Sequence, residues 1–298
     1  MALDSKQCEA FLGVVESGSF ELAAAQLCIT ASAVSLRVRA LETQLGQALV
    51  VRGRPCRATR VGRQLMQHLQ RTRHMEQDVL SAMAGAGGEG DAFFAAALAV
   101  NADSLATWLL PAVAQVLQRE HIALELVVDD QEHTYALLEA GLVNACISAQ
   151  AHAMRGCVAE SLGSMRYRMV AAPAFVAQWF RRGVTRAALR RAPMVAFNRK
   201  DQLQADALLR TFGLPAGAYA CHYVPASEPF VAAIRLGLGY GMVPELQIGD
   251  AIERGELVDV LPEAATDVAL YWHAWAQQSP RLDRLTRCVQ EAALQVLR

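Results

Sequence analysis

Apolar residues recur at helical spacing along the first eighty positions, and the rhythm then changes. Cys8, Phe11, Leu12 and Val15 share one face of a helix expected over residues 4–16, and Gly18 ends it. A second short helix is expected over residues 20–27, where Ala23, Ala24 and Ala25 are small enough for close packing. Thr30 or Ser32 caps a third helix. In it Val34, Val38, Leu41 and Leu45 stand at i, i+4, i+7 and i+11, a single apolar stripe. Ser35, Arg37 and Arg39 point elsewhere, and Gly46 closes the helix. Two short helices around a tight turn, with arginines on the second, are a form that places side chains in a DNA groove.

A short strand is expected at 48–51. The segment RGRPCR at 52–57 contains Gly53 and Pro55, so it reads as the tip of a β-hairpin, a basic wing. Thr59 caps a long helix to about residue 83. Its imperfect stripe of Leu65, Leu69, Thr72, Val79 and Met83 suits a partner helix. AGAGGEG at 84–90 is a hinge by composition.

From residue 91 strands and helices alternate. Strands are expected at 93–100, 123–128, 143–149, 166–172, 194–197, 221–224, 240–243, 257–261 and 268–273. Helices are expected at 104–120, 132–140, 174–180, 202–212, 228–236, 245–254 and from Pro280. Such alternation implies mostly parallel sheets covered on both faces, an α/β arrangement. Two sheets of about a hundred residues each, with chain crossing between them, make a two-lobed clamp. The expected division is 1–58 for the head, 59–84 for the linker helix, 85–91 for the hinge and 92–298 for the clamp. One lobe takes 92–163 and 266–298, the other 164–265.

Charge sharpens the picture. Between residues 35 and 75 stand nine arginines and one acid, Glu42. Residues 1–87 carry 10 basic and 7 acidic residues, and the remainder 18 and 22, of totals of 28 and 29. A basic head on an acidic body meets a polyanion with the head alone. Arginine grips phosphate and guanine edges bidentately, which lysine does not. Thr30, Ser32, Ser35 and Arg37 lie where the third helix reaches base edges, with Arg39 one turn on. Arg52, Arg54, Arg57 and Arg63 are placed to neutralise phosphates, and Arg54 at the wing tip to enter a minor groove. The alternative for each is a phosphate contact without sequence information. No apolar run reaches the ~18 residues of a membrane span. The polar, acidic start is no secretory signal, and seven scattered cysteines without a CxxC read as reduced thiols, so a cytoplasmic protein is expected.

Residues 4–83 resemble the winged helix-turn-helix and linker helix of LysR-type transcriptional regulators. The stretch FELAAAQLCITASAVSLRVRALETQLGQALVVR carries the likeness. VNADSLATWLLPA, GVTRAALRRAPMVAF, SEPFVAAIRLGLGYGMVP and LYWH resemble the ArgP/LysG-type branch, regulators of basic amino-acid export. The resemblance spans essentially the whole chain. It implies two Rossmann-like effector lobes of periplasmic-binding-protein type. It also implies promoter DNA as partner, pairing through the linker helices into a homodimer or homotetramer, and lysine or arginine as effector. Ala31 and Leu36 depart from it, standing where relatives carry polar residues on the recognition helix.

For the effector, Asn101, Asp103 and Ser104 sit where a strand ends and a helix begins, and Ser227 and Glu228 repeat this in the second lobe. A helix start offers N–H groups to a carboxylate. Asp103 or Glu228 would then take an ammonium, and Asp201 a cationic side chain. Ser148 and Gln150 are weaker lining candidates. The alternative for Asp103 and Ser227 is simple helix capping. Gly237, Gly239 and Gly241 form GxGxG before a strand, which is not a dinucleotide fingerprint. The histidines lack metal-ligand spacing, His273 reads as structural, and no GxSxG occurs, so neither metal, cofactor nor catalysis is expected. The basic run at 181–191 reads as a solvated face. Two rival readings stand beside the regulator: an effector-independent architectural DNA binder, and an amino-acid-binding protein or enzyme whose head only dimerises.

Overall fold

Side-chain caps fix where the head's helices begin. Asp4 accepts from the Gln7 N–H, Ser19 from those of Glu21 and Leu22, and Thr30 from that of Ala33. The helices are α1 (Ser5–Ser17), α2 (Phe20–Gln26) and α3 (Ala31–Leu45). Gly46 terminates α3 in the left-handed region at φ 66°. Val34, Val38 and Leu41 are fully buried against Phe11 and Ala23, as the stripe requires. A two-stranded wing follows, β1 (Val50–Val51) and β2 (Arg57–Ala58). Glu42 on α3 anchors it by accepting the N–H groups of Leu49 (2.8 Å) and Val50 (3.2 Å). Thr59 caps the long helix α4 (Arg60–Ala84) through the Gly62 N–H. This computed structural model describes residues 3–84, 93–129 and 134–298. The expected hinge at 85–91 and the start of the helix expected at 132–140 lie outside them.

The remainder forms the two α/β lobes. Lobe I has β3 (Phe94–Val100), α5 (Ala102–Ser104), a π-helical turn (Leu105–Leu109), α6 (Leu110–Arg119), β4 (Ile122–Val128), α7 (Thr134–Glu139) and β5 (Ala145–Ser148). The chain leaves it along β6 (Cys157–Ala171). Lobe II adds α8 (Pro173–Trp179), α9 (Arg186–Leu189), β7 (Met194–Ala196), α10 (Leu203–Phe212), β8 (Cys221–Tyr223), α11 (Ser227–Arg235), β9 (Tyr240–Pro244), α12 (Glu245–Ile248) and β10 (Val258–Asp259). Return is along β11 (Thr266–Trp275) to α13 (Pro280–Val296). The order β4-β3-β5-β11-β6-β9-β7-β8 is one continuous sheet, with β10 on β6.

Four expectations change. The two sheets expected are one, because β6 and β11 pair with each other and join the strands of both lobes. The sheet is mixed: β3, β4 and β5 pair in parallel, as do β7, β8 and β9, but the long strands β6 and β11 pair antiparallel with all their neighbours. The helix expected at 104–120 widens into the π turn before Pro111, which has no N–H to continue the ladder. The helix expected at 245–254 stops at Ile248, because Gly249 adopts φ 51°, ψ −128°, a conformation open essentially to glycine.

Gly62 joins the wing to α4. A Cβ there would lie 2.1 Å from the Leu49 carbonyl oxygen and 3.3 Å from Ala58 Cβ. Gly62→Ala is expected to destabilise the head by ~1–3 kcal/mol, as overpacking does. A thermal melt of the full chain followed by far-ultraviolet dichroism, to which the helical head contributes, checks this, and an unchanged Tm would mean that the wing yields freely.

Candidate DNA interface and interlobe cavity

On α3 the exposed positions are Ser32, Leu36, Arg39, Ala40 and Thr43, opposite the buried stripe. Thr30 Oγ1 and Ser32 Oγ lie 2.9 Å apart at the helix start. Ser35 and Arg37 flank the exposed row and are half-buried. Leu36 is 66% exposed, so it is offered outward beside the polar residues. Arg52 stands with its guanidinium 5.1 Å over the Phe20 ring, held at the start of α2. Arg54 and Arg57 are exposed on the wing. Of the seven nominated positions, Thr30 caps the start of α3, Ser32 and Arg39 lie in its exposed row, Ser35 and Arg37 flank that row, and Arg52 and Arg54 stand on the wing. Their positive charges and the free N–H groups of the α3 start suit a phosphate backbone.

The second site lies between the lobes. Asn101, at the end of β3, is 2% exposed, and its Oδ1 and Nδ2 have no hydrogen-bond partner. Asp103 crosses the cleft. Its Oδ1 accepts from Ser227 Oγ of α11 (2.6 Å) and its Oδ2 from the Tyr167 hydroxyl of β6 (2.8 Å). Asp201 is fixed by the N–H groups of Phe197 (3.3 Å) and Leu203 (3.0 Å). Beside it Gln204 is buried, with Oε1 unpartnered. Asn101, Asp103, Tyr167, Asp201 and Gln204, with Asp129, Phe197, Phe230 and Met242, line a cavity of ≈ 70 Å³, and Ser227 stands outside that lining. Its twelve lining residues include three aspartates and no lysine or arginine. Buried polar atoms without partners mark a place where something else supplies them.

Not every nominated residue arrives there. Ser104 is buried behind the cavity with Oγ unpartnered. Ser148 accepts the Gln150 N–H (3.2 Å), and neither residue lines the cavity. Glu228 is exposed and lines a separate open groove with Trp108, Arg235 and Gln247. Asp129 carries no such signal in the sequence, for it follows β4 and is not at an expected helix start. Tyr167 and Gln204 carry none either, and only the fold brings them near Asp103.

The remaining clusters behave as ordinary structure. His273 Nε2 donates to the Gln150 carbonyl (2.7 Å), and burial pushes its imidazole below the usual histidine range. Arg181, Arg182, Arg190 and Arg191 are exposed on turns around α9. Among the described residues no group of histidine, cysteine or acids is placed to hold a metal ion, and no single helix is long and apolar enough to cross a membrane.

The profile of bacterial regulatory helix-turn-helix proteins of the lysR family matches residues 5–63, and that of the LysR substrate binding domain matches residues 97–294. The chain is 41% identical over 274 residues to the HTH-type transcriptional regulator ArgP of Aeromonas salmonicida, covering 92% of this chain and 91% of that one. With ArgP of Klebsiella pneumoniae strain 342 it shares 40% over 295 residues, 99% and 98% of the two chains. Among solved structures it is similar to ArgP from Mycobacterium tuberculosis, with TM-score 0.87, 38% identity and coverage of 100% and 99%. It is also similar to full-length LysG from Corynebacterium glutamicum with bound effector Arg, with TM-score 0.81, 34% identity and coverage of 99% and 100%.

Asp103 reaches from lobe I to two hydroxyls across the cleft, so its removal takes an acceptor from each. In Asp103→Ala the Ser227 hydroxyl retains the Gln247 Oε1 acceptor at 3.2 Å, whereas the Tyr167 hydroxyl loses the Asp103 acceptor. A loss of ~1–3 kcal/mol is expected. Denaturant unfolding of Asp103→Ala beside Asp103→Ala/Tyr167→Phe checks it: the second variant regains stability if the stranded hydroxyl is the cause.

Proposed function

The chain belongs to the LysR family, and from that premise we propose that it senses a basic amino acid, arginine or lysine, between its lobes and answers by changing its grip on promoter DNA. It is a DNA-binding, effector-responsive regulator of transcription and not an enzyme. The observation that carries the effector class is the charge of the cavity, three aspartates with no basic residue among those that line it. A cationic amino acid brings two positive groups to that surface, and in a low-dielectric cleft their attraction to carboxylates is strong. Asp103 and Asp129 would take the α-ammonium and Asp201 the side chain. Asn101 Nδ2 and the N–H groups that begin α5 would take the α-carboxylate. LysG from Corynebacterium glutamicum, crystallised with Arg, supports this reading.

A free volume of ≈ 70 Å³ is too tight for arginine, so seating it requires the lobes or their side chains to shift. A ligand that binds one arrangement better than the other moves the equilibrium between them, and linkage makes DNA affinity respond. Thr30, Ser32, Ser35 and Arg37 would read base edges, with Arg39, Arg52 and Arg54 on phosphates or the minor groove. The division into head, linker helix, hinge and effector region at residues 58, 84 and 91 belongs to this proposal, as does the division into lobes at 163 and 265. Two chains would pair along α4, where Met75, Val79, Leu80 and Met83 are exposed. The effector lobes would join dimers into a tetramer. The setting would be the cytoplasm, and the target a basic amino-acid exporter or related genes.

Two measurements test the proposal. Arginine or lysine should raise the Tm of the full chain, since a ligand of the folded state stabilises it. Asp129→Asn should reduce that shift while leaving DNA binding intact. If none of the twenty amino acids moves Tm, the effector-independent DNA binder becomes the better reading. On DNA selected by the full chain from a random pool, Arg37→Ala should lose affinity for selected sites by ~1–3 kcal/mol, with little change on random duplex. Equal losses on both would make Arg37 a phosphate contact.

A further inference from the structure

Helix α4 does more than extend from the head, for its middle lies against lobe I. Gln67 Nε2 donates to the Glu139 carbonyl (2.7 Å). The Arg71 guanidinium sits 5.0 Å over the Trp275 ring. The His74 ring is 5.0 Å from that of Phe94, and its Nδ1 is 3.3 Å from Asn144 Nδ2. Asp78 accepts the Arg281 backbone N–H (3.3 Å) and faces the Arg281 Nε at 3.3 Å. Positions 67, 71, 74 and 78 are spaced i, i+4, i+7 and i+11, one stripe of the helix, and every residue on it is polar. Apolar periodicity gives no sign of such a seam.

Burial makes this contact specific. His74 is 6% exposed, and the Asp78 and Arg281 side chains 9% and 17%. Desolvation pushes the His74 imidazole down to about 4, so the ring is neutral at physiological pH and Nδ1 accepts from Asn144. Asn144 is itself clipped into the sheet. Its Oδ1 accepts the Ala97 N–H, and its own N–H donates to the Ala97 carbonyl, both at 2.7 Å. Removing one member of the Asp78–Arg281 pair would leave the other charge buried and uncompensated.

The seam also shares a strand with the cavity. Phe94 begins β3 under His74, and Asn101 follows the end of that strand in the cavity wall. Strand β3 itself is seven residues, about 23 Å of extended chain, paired with β4 along its whole length and with β5 at Leu98 and Ala99. A strand paired in register along its length moves with its sheet.

We infer that the polar seam locks α4 onto lobe I, so that the lever and the lobe form one rigid body. Asp78, His74, Asn144 and Arg281 are then positioning residues that relate the state of the cavity to the placement of the head. A connecting segment alone would let the lobe move without the lever. The inference rests on the regulator reading above, and its test is built to separate the two.

Amide hydrogen exchange over residues 67–80, and affinity for selected DNA with and without arginine, are measured on four full-length chains. These are the native chain, Asp78→Asn, Arg281→Met and the swapped pair Asp78→Arg/Arg281→Asp. Both single variants are expected to exchange about tenfold faster over this stretch. In both, arginine should cease to change DNA affinity while still binding the protein, and the swapped pair should recover part of the protection and of the response together, since the ion pair returns while an arginine side chain at 78 offers no acceptor to the backbone N–H of residue 281. Unchanged exchange overturns the docking. Faster exchange with the response retained overturns the positioning role. If arginine leaves even the native chain's DNA affinity unchanged, the effector reading fails, and the exchange measurements by themselves decide whether the seam locks α4.

Discussion

Strands β6 and β11 pair along all of β11, from Thr266 to Trp275, and so pass together through both lobes. On one side β11 pairs with β5, and on the other β6 pairs with β9, so each lobe's parallel ladder is hung on one of these strands. Trp272, 1% exposed on β11, and Met165 and Tyr167 on β6 sit in the same apolar core as residues from both lobes. The register shifts once, between Leu270 and Tyr271. A bulge of this kind bends a strand and strengthens its twist, and here it stands where one lobe gives way to the other. The cavity depends on this pairing, for Tyr167 rides on β6 and its hydroxyl crosses to Asp103 of lobe I.

The sequence shows the head well because local chemistry builds it. The α3 stripe, the caps at Ser19 and Thr30 and the glycine at 46 all act within a few residues of themselves. It shows β6 poorly. The first half of that strand, CVAESLGS, alternates between exposed and partly covered positions and holds a glycine, so its apolar signal is faint, whereas the second half is buried and was expected. Asn101, Asp103 and Ser227 were legible as helix starts. Their convergence was not, since Asp103 meets partners 64 and 124 residues away. Asp129 and Gln204 had no local signature at all.

Charge is divided along the chain by the same logic. The head carries arginines where they face outward, with one conspicuous acid, Glu42, turned inward to hold the wing by its backbone. That arrangement satisfies two strand N–H groups without placing negative charge on the face offered to DNA. In the effector region Asp103, Asp129 and Asp201 line the cavity where the lobes meet, and their apolar neighbours Phe197, Phe230 and Met242 keep the local dielectric low. Under the proposed function the two sites would select partners of opposite sign, a polyanion outside and a cation within.

The glycine at 62 has a geometric consequence for the operator. It seats the Leu49 carbonyl against α4, so the wing cannot turn independently of the helix axis. Aim is thus inherited from a rod of 25 residues, about 37 Å long. Tilting such a rod by about 10° at its base carries its far end through roughly 6 Å, close to two steps of about 3.4 Å along a DNA strand. In a pair of such rods, a small rotation of the lobes would be read on the duplex as a change of phase between half-sites.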